Sequence, residues 1–500
     1  MDFVHNFPLF CIVLCLMSGV ISSVLKPKAA KVLTYIAITL ILCMSAGVWY
    51  ETLVTGEGFT YMMGHFPAPW GNEVRGGVLE GMLATFFCII MLLSLIAGQK
   101  YLDQDIEASK QNLYYSLTNL TLSSLLALVY TNDIFTAYVF VEINTIAACG
   151  LIVIRGNGRS LVAAVKYMIM SLIGSGLLLI GITMIYDVTG HLLMEDLREA
   201  VIQIMETGSY SEPLTVIIAL MSVGLAIKSA LFPFHSWLPD AYGYSTPSSS
   251  AILSSLVSKA YLVLLLKIFL RVIGWEVILE NRILDIFFVF GLIGIIMGSV
   301  SAIAQKDLKR MTAFSSVAQI GYIYMGLGLG NEAGIQASVF HIFMHAAAKS
   351  MLFIALAGLA EVSGGKTTRS DLQGAGYKNK IAGIAFSIGA FSMIGIPLFG
   401  GFISKINFAS AAVDNGIPKM VITLIVLAVS TILNAVYFFR AVICIYTPAE
   451  DTVQGEAVAP ERQRFSYLAA IAGFILVNLV IGTFSDAIME CIRTGLRMFA

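Results

Sequence analysis

The sequence predicts an all-α integral membrane protein with about fourteen transmembrane helices, and three observations lead to this fold class. Of the 500 residues, 58% are hydrophobic and only 12% are charged, whereas a soluble domain carries about 25% charged residues. Apolar stretches of about 20 residues, the length that spans a bilayer as a helix, recur along the whole chain. The 44 glycines far outnumber the 12 prolines, as expected where small residues let membrane helices pack closely.

The same composition excludes several classes of protein. High hydrophobicity with little charge rules out an ordinary soluble enzyme and a disordered chain. The formal net charge of -1 leaves no basic excess of the kind that nucleic-acid-binding surfaces need. None of the 7 cysteines forms a Cys-x-x-Cys pair, so no iron–sulfur cluster, metal or other cofactor is expected.

The predicted spans follow one another along the chain. They cover residues 7–24, 31–52, 78–98, 112–131, 134–154, 160–186, 213–234, 247–270, 283–304, 312–330, 334–360, 381–411, 418–446 and 465–485. The twelfth span is too long for one simple crossing and contains Gly395, Pro397 and Gly401, so we interpret it as a broken helix. A second helix break is expected at Pro233.

Two interrupted helices in corresponding halves of a chain are typical of transporters built from inverted repeats. We therefore expect two inverted five-helix repeats, spans 4–8 and 9–13, with Lys228 and Lys405 as their equivalent central residues. The predicted organisation is 1–111 for spans 1–3, 112–272 for the first repeat, 283–446 for the second repeat, and 465–500 for span 14 and a tail.

Loop charges predict the orientation of the chain. One predicted side collects 17 loop lysines and arginines and the other collects 7, and the more basic side is expected to be cytoplasmic. An even number of spans then puts both termini on the outer side of a cell membrane. The N-terminal region lacks the basic stretch of a cleavable signal peptide. Residues 188–212 carry apolar residues at helical spacing between acids, which predicts an amphipathic helix on the outer surface, lying at the membrane interface.

Six lysines remain inside the predicted spans, where a charge costs about 2.5–3.5 kcal/mol on insertion scales. They are Lys166, Lys228, Lys259, Lys267, Lys349 and Lys405. Lys267 lies near the outer end of its span and is expected to extend its ammonium group to the interface. For Lys166, a side chain that reaches the surface and one that points into the bundle are both open. The other four have long apolar sequence on both sides, which favours an ion or proton pathway over structural anchors.

Glu142 is the acid at comparable depth and the expected partner of Lys228. Burial favours the uncharged form of each group in such a pair, whereas the opposite charge of the neighbour favours the charged form. Movement of one partner therefore switches the other, as a proton relay requires; a static ion pair that joins two helices is the alternative. His235 follows the break at Pro233. Two interpretations of this histidine are equally open: it gates the path toward the cytoplasm, or it forms a hydrogen bond at the end of a helix.

His341, His345 and Lys349 recur every four residues and therefore share one face of a helix. A polar stripe along a hydrated path is the favoured interpretation, and a hydrogen-bond network in the core is the alternative. A zinc site is disfavoured, because His-x-x-x-His lacks an evident third ligand and Lys349 would repel the cation.

Four runs of this sequence resemble a known family: Gly224–Ala241, Gln305–Tyr322, His341–Phe353 and Gly395–Lys405. They are similar to the antiporter-like, proton-translocating subunits of respiratory complex I, membrane-bound hydrogenases and Mrp-type sodium/proton antiporters. The resemblance covers roughly residues 110–445. It implies fourteen helices, two inverted five-helix repeats and a hydrophilic axis across the membrane.

The resemblance also implies a role in proton translocation for the residues that match its motifs, namely Glu142, Lys228, Lys259, Lys405, His341, His345 and Lys349. Val141 stands where the family usually has Trp, and Tyr242 and Thr246 also depart from its pattern. These departures put the branch of the family in doubt but leave the acid and the lysines intact. The overall pattern is most similar to the Mrp D-type subunit and its relatives in hydrogenase-type complexes.

The resemblance implies a subunit that works with other membrane subunits in a hetero-oligomeric complex surrounded by lipid. Mrp-type sodium/proton antiport is the expected function, and an ion-pumping subunit of a redox-driven complex is the alternative. The chain would carry H+, with Na+ transport through it left open, and would bind neither a redox centre nor nucleic acid. A purely structural subunit and a transporter of organic solutes are further, weaker alternatives.

Overall fold

The computed structural model describes residues 3–66, 71–208, 210–448 and 465–499, and most of them are helical. Within these ranges, 10 helices are long and apolar enough to cross a membrane, so the chain is a multi-pass membrane protein. The other predicted spans coincide with helices that are more polar or are interrupted. The count of fourteen spans therefore stays a prediction.

The first part of the chain forms three long helices and a β-hairpin. The helices are α1 (Phe7–Val24), α2 (Pro27–Thr55) and α3 (Val78–Asp105), and the antiparallel strands β1 (Phe59–Met62) and β2 (Glu73–Gly76) connect α2 to α3. Both ends of the described chain lie beside this hairpin. The ring of His5 stacks on Phe59 at 4.1 Å, and the Arg75 guanidinium lies 6.0 Å from the ring of Phe499. We call this the hairpin end of the molecule.

The remaining helices follow in two groups and a C-terminal pair. The first group contains α4 (Gln111–Tyr130), α5 (Ile134–Val153), α6 (Gly158–Thr189), α7 (Met194–Thr207), α8 (Ser211–Lys228), α9 (Leu238–Tyr244), α10 (Pro247–Ile252), α11 (Ser258–Lys267) and α12 (Trp275–Glu280). The second contains α13 (Ile283–Ala304), α14 (Leu308–Gly328), α15 (Glu332–Glu361), α16 (Ala375–Lys378), α17 (Lys380–Ile394), α18 (Gly400–Val413) and α19 (Ile417–Tyr446). The pair is α20 (Phe465–Thr483) and α21 (Ser485–Phe499).

Short polar side chains set where several helices begin. Asp133, Asn157, Asp307 and Asn331 precede α5, α6, α14 and α15, and each side chain accepts a hydrogen bond from a main-chain N–H of the first turn. Such caps satisfy donors that a helix start leaves free. In a membrane protein they matter more, because lipid offers no replacement partner.

The two predicted helix breaks are both present. α8 stops at Lys228, and after residues 229–233 a 3-10 turn (Phe234–Trp237) leads into α9. α17 stops at Ile394, and α18 starts at Gly400 after the segment that contains Pro397. A third irregular helix runs from Pro247 to Ile273, where wider π-helical turns (Leu253–Val257 and Ile268–Ile273) flank α11.

The amphipathic segment 188–212 does form a helix, α7, but its apolar side faces protein. Met194, Leu197 and Val201 are buried, and the helix packs against the π-helical turn at the end of α11. Arg198 donates hydrogen bonds to the Ile273 carbonyl oxygen at 2.8 Å and to Glu276 at 3.0 Å. The apolar stripe is thus used to cover the bundle, and the location of α7 at the membrane interface stays a prediction.

The opposite end of the molecule, which we call the basic end, gathers loop cations that the sequence places on one side. Arg155 pairs with Asp105 at 2.9 Å, and Arg310 pairs with Asp240 at 2.8 Å. Two of the 17 predicted cations, Arg462 and Arg464, lie outside the described residues. At the centre of the bundle most residues of both α14 and α15 are buried.

Candidate functional site

Lys228 forms the first part of the site because the first broken helix ends at it. Its ammonium group donates a 2.7 Å hydrogen bond to Thr145 Oγ1 and lies 3.9 Å from Glu142 Oε1. The same ammonium group lies 5.3 Å from the centre of the Tyr261 ring. The acid and the hydroxyl both come from α5, one turn apart, so the predicted pairing of Glu142 with Lys228 is present in the structure.

The two members of this pair differ in their environment. The side chain of Lys228 is fully buried, whereas 26% of the Glu142 side chain is exposed. The acid therefore lies at the edge of the bundle, and the prediction that it is at the same depth in the membrane as the lysine stays a prediction. Asn144, the next polar residue of α5, is buried, and neither its amide nitrogen nor its oxygen has a hydrogen-bond partner among the described residues.

Lys259 lies near the middle of the axis and is fully buried. It is the second residue of α11, directly after a π-helical turn, and such a turn leaves main-chain carbonyl groups without their usual helical partner. The ammonium group donates to the Ser254 carbonyl oxygen in that turn and to Ser258 Oγ at 3.2 Å. Tyr261, whose ring lies near Lys228, is two residues further along, so α11 carries residues of the axis on two of its faces.

The polar stripe of α15 faces Lys259. The π-helical turn Leu253–Val257, whose Ser254 carbonyl oxygen accepts from Lys259, packs against α15, and His341, His345 and Lys349 are all buried. Lys349 donates a 2.7 Å hydrogen bond to the Thr312 carbonyl oxygen and a further one to Ser315 Oγ, both on α14. The predicted stripe is thus buried and is turned toward the other polar residues rather than toward lipid.

The two histidines of the stripe are incompletely hydrogen-bonded. His341 Nδ1 lies 2.7 Å from Ser404 Oγ, but His341 Nε2 and both ring nitrogens of His345 have no partner within the described part of the chain. The two rings are 6.0 Å apart. Buried polar atoms of this kind are usually satisfied by internal water, so this part of α15 has the donors and acceptors of a hydrated path.

Lys405 lies at the second helix break. Its ammonium group donates 2.7 Å and 2.8 Å hydrogen bonds to the Ile394 carbonyl oxygen and to Thr431 Oγ1, and it lies 6.0 Å from the centre of the Tyr322 ring. Ser404, the preceding residue, binds His341. Lys228 is the last residue before its break and Lys405 comes after its own, so the two do not occupy matching positions along the broken helices.

Together these contacts order the site from α5 to α19. The sequence of side chains runs Glu142, Lys228, Lys259, the α15 stripe and Lys405, and we call it the polar axis. His235 is not joined to it by a hydrogen bond between described residues. Its ring stacks on Phe232 at 5.3 Å, and its Nδ1 has no partner among the described residues. His235 therefore lies beside the first break without extending the axis.

Two further charged sites were missed or misjudged from the sequence. Lys267 is completely buried and donates to the carbonyl oxygens of Val129 and Thr131, so the prediction that it reaches the interface is wrong. Asp240 joins Lys166 at 2.6 Å and Arg310 at 2.8 Å. The sequence signal for this second site is Asp240 itself, an acid that directly follows the apolar residues Trp237, Leu238 and Pro239.

No cluster of three or more His, Cys, Asp or Glu side chains suited to a metal ion occurs among the residues that the structure describes. The arrangement is one of lysines, histidines, hydroxyl groups and main-chain carbonyls around the centre of a membrane bundle. Lysine and histidine side chains can bind and release protons, and the hydroxyl and carbonyl oxygens accept hydrogen bonds from them.

Comparison with known proteins defines the class. Residues 131–433 match the family described as NADH:quinone oxidoreductase/Mrp antiporter, transmembrane. The chain is 34% identical over 474 residues to NADH-quinone oxidoreductase subunit N of Desulforudis audaxviator, covering 90% of this chain and 89% of that protein. It is 26% identical over 441 residues to the D-type Na(+)/H(+) antiporter subunit of Bacillus subtilis, covering 87% and 85%.

Two solved structures share the fold. A chain of the membrane-bound sulfane sulfur reductase, an archaeal respiratory membrane complex, superposes with a TM-score of 0.85 at 24% identity, covering 100% of this chain and 98% of that one. A chain of the Mrp complex from Dietzia sp. DQ12-45-1b superposes with a TM-score of 0.86 at 23% identity, covering 99% and 97%. The fold and the site thus define an antiporter-like membrane protein. The chain belongs to the NADH:quinone oxidoreductase/Mrp antiporter transmembrane family, and the predicted resemblance is confirmed.

Proposed function

We propose that this chain is a proton-translocating subunit of a multisubunit membrane complex. The observation that carries the proposal is the polar axis: buried lysines and histidines and the half-buried Lys405 follow one another through the bundle, with Lys228 and Lys405 beside helix breaks. Buried charges are expensive in a membrane and are kept where they serve transport. A purely structural role does not explain why both ring nitrogens of the buried His345 lack partners within the described residues.

The Glu142–Lys228 pair supplies the switch. At 3.9 Å and an effective dielectric constant of about 20, the attraction between the two charges is about 4 kcal/mol. Moving one charge against 100 mV costs about 2.3 kcal/mol. Separation of the pair therefore changes the proton affinity of Lys228 by enough to drive a proton onward to Lys259. The partial exposure of Glu142 leaves it free to make that movement.

The α15 stripe gives the path a direction toward the basic end. Phe353 and Leu356 continue the face of Lys349 and line a cavity of about 230 Å³ at that end, which Lys309 and Glu361 also line. Protons would enter through this cavity and pass along the stripe. His235, beside the first break, would control access from the same side.

The number of spans, their repeats and their orientation in the membrane are part of this proposal. We infer fourteen spans with inverted five-helix repeats at 112–272 and 283–446, between segments 1–111 and 465–500, in a cell membrane. The presence of both described termini at the hairpin end supports an even number of crossings. The hairpin end would face outward, with the basic end in the cytoplasm.

Mrp-type sodium/proton antiport is the first candidate for the driving reaction. The match to a D-type Na(+)/H(+) antiporter subunit and the fold of the Mrp complex support it. Other membrane subunits would cover the exposed apolar faces of α1, α2, α6 and α19 together with lipid. The chain would carry H+, and Na+ would pass through it or through a neighbouring subunit.

Redox-driven pumping is the second candidate, and a specific observation favours it. The identity of 34% to a NADH-quinone oxidoreductase subunit N is higher than the identity of 26% to the D-type antiporter subunit. In that case electron transfer in a partner subunit would supply the energy, and this chain would hold no redox centre itself.

One experiment separates the two candidates. The native complex is isolated in mild detergent, its subunits are identified by mass spectrometry, and its iron, nickel and flavin are measured. Iron together with nickel or flavin subunits would show a redox-driven pump, whereas small hydrophobic subunits without iron would show a secondary antiporter. Proton uptake is then measured in vesicles that contain the complex with Lys228→Met. Full uptake by this variant would contradict the proposed relay.

A further inference from the structure

A second group of buried charges lies at the hairpin end, outside the polar axis. We call it the hairpin-end cluster; it consists of Glu73, Arg75, Glu80, Lys267 and Arg271. Glu80 Oε1 accepts a 3.0 Å hydrogen bond from Arg75 Nη1, while Glu80 Oε2 has no partner among the described residues. Lys267 binds only main-chain carbonyl oxygens in the hydrogen bonds that the structure shows.

The other members complete a compact set of charges. The Arg271 side chain is buried and binds Glu195 Oε1 at 2.9 Å through Nη2, whereas Nη1 finds no partner among the residues described. Glu73 Oε1 accepts a 2.5 Å hydrogen bond from Asn132 Nδ2. A static anchor usually has all its buried polar groups satisfied. The cluster instead keeps one free carboxylate oxygen and one free guanidinium nitrogen within the described structure.

One helix connects this cluster to the polar axis. Lys259 is the second residue of α11 and Lys267 is the last, so a rise of about 12 Å along the helix separates them. Both side chains are fully buried. Residues 262–266, which directly precede Lys267, are all Leu or Val, so this stretch of the helix offers a proton no side-chain carrier.

A narrow apolar cleft fills this interval. It is lined by Leu79 and Leu83 of α3, Val263 and Leu266 of α11, and Ile342 of α15, with Phe499 of α21 also at its wall. No polar side chain lines it, and it is too narrow to hold a water molecule. Leu79 precedes Glu80, Leu266 precedes Lys267, and Ile342 follows His341. Since each residue of a helix advances it by only about 1.5 Å, the cleft lies at the level of the hairpin-end cluster on α3 and α11 and at the level of the polar axis on α15.

We propose that this cleft is a hydrophobic gate on the outer half of the proton route, and that Lys267, with Glu80, receives the proton on the hairpin side of the gate. The inference rests on the proposed function and adds a route to it. When the cleft widens and admits water, a proton leaves Lys259 Nζ and arrives at Lys267 Nζ through the water molecules. One N–H bond breaks and one forms, and Glu80 then accepts the proton for release.

Physical principles favour a gate here. Apolar constrictions in membrane proteins close a path by losing water and open it with a small increase in width. Phe499 lies at the end of α21, and Arg75 binds both the neighbouring Met498 carbonyl oxygen and Glu80. The position of α21, and with it the wall of the cleft, therefore depends on the charge that the cluster carries.

The first test measures transport by the intact complex in lipid vesicles. We expect Lys267→Met to lower driven proton transport by about tenfold or more, as loss of a proton-transfer group does, and Lys267→Arg to retain less than wild type. Lys419→Met is the matched control at the same end, because Lys419 also binds a main-chain carbonyl oxygen, that of Gly328 at 2.8 Å. Normal transport by Lys267→Met would overturn the inference, and if Lys228→Met is inactive at the same time, the proposed relay stands.

The second test does not depend on removing a charge. We expect Phe499→Ala to widen the cleft and raise passive proton leak through vesicles that hold the complex without its driving reaction. Phe484→Ala, at an exposed position, serves as the control and should leave the leak unchanged. In addition, Val263→Cys in a Cys43→Ser, Cys491→Ser background should react faster with a small cationic thiol reagent during transport than at rest. An unchanged leak together with an unchanged labelling rate would overturn the gate.

Discussion

The ammonium group of Lys405 donates a 2.7 Å hydrogen bond to the carbonyl oxygen of Ile394, the residue at which α17 ends. The helix break thus creates the acceptor that this half-buried lysine uses. The negative end of the α17 dipole lies at the same point and stabilises a nearby positive charge. A helix break and a cation within the bundle, each costly alone, satisfy one another in this arrangement.

Replacing Lys405 tests this relationship. We expect Lys405→Met to stop proton transport and to destabilise the protein by about 1–3 kcal/mol, because the Ile394 carbonyl oxygen and Thr431 Oγ1 lose their donor. Transport by the reconstituted complex and thermal unfolding in detergent measure the two effects. Lys405→Arg should recover stability more than transport, and equal recovery of both would contradict a direct role in proton transfer.

The Glu142–Lys228 pair gives a second prediction. Glu142→Ala and Lys228→Ala should each abolish coupled transport while the complex still assembles, because either change removes the electrostatic switch. Glu212→Ala, at an exposed acid of α8, is the control and should transport normally. Native electrophoresis reports assembly and a pH-sensitive dye reports transport. Full transport by both variants of the pair would refute the relay.

His345 gives a third prediction, since neither ring nitrogen has a partner among the described residues. We expect His345→Leu to slow transport by about 100-fold, a typical loss for a group that transfers protons, with little change in stability because no direct hydrogen bond of the described chain is lost. His345→Gln, which keeps polar atoms for water, should fall between the two. The comparison of rates among the three proteins is the measurement, and a fully active Leu variant would exclude His345 from the path.

The charges around Asp240 predict a ranking in stability. Asp240→Asn leaves both Lys166 and Arg310 without their ion-pair partner, so we expect a clear decrease in the unfolding temperature. Lys166→Met should have a smaller effect, because 52% of the Lys166 side chain is exposed and exposed ion pairs contribute about 0–1 kcal/mol. Scanning fluorimetry of the detergent-solubilised chain gives the order, and a larger effect of Lys166→Met would contradict this account.

A glycine at the second break gives the fifth prediction. A Cβ atom on Gly401 would lie 1.7 Å from the Ser392 carbonyl oxygen, so Gly401→Ala must push α18 away from α17. We expect poor assembly and loss of transport. Gly176→Ala, within α6, meets no atom within 4 Å and should behave as wild type. Normal assembly of Gly401→Ala would show that the break tolerates a wider separation.

The sequence predicts the membrane class, both helix breaks and the residues of the polar axis because buried charges and interrupted spans leave strong local signals. It does not predict which way a lysine near a span end turns. The pattern places Lys267 at the interface, but the carbonyl oxygens that hold it come from α4 and the residues after it, far away in sequence. For the same reason the sequence does not predict which protein surface α7 covers. The periodicity shows an apolar stripe but does not identify the surface that buries it.

The depth of Glu142 illustrates a further limit. Its apolar flanks indicate burial, yet they fit equally a residue that faces out of the bundle at the same height in the membrane. Only the packing of α5 against α4 and α6 decides between the two. The pairing with Lys228, in contrast, follows from chemistry: among the acids within the predicted spans, this one lies at comparable depth.

The π-helical turn before α11 has a consequence for the partner of Lys259. Such a turn holds one more residue than a regular helical turn and leaves main-chain carbonyl oxygens without their usual helical partner. Deleting a single residue from Leu253–Val257 would restore regular winding, and the Ser254 carbonyl oxygen that now accepts from Lys259 would be taken up by the helix itself. A deletion that alters no charged residue would thus leave a buried amine without its main acceptor.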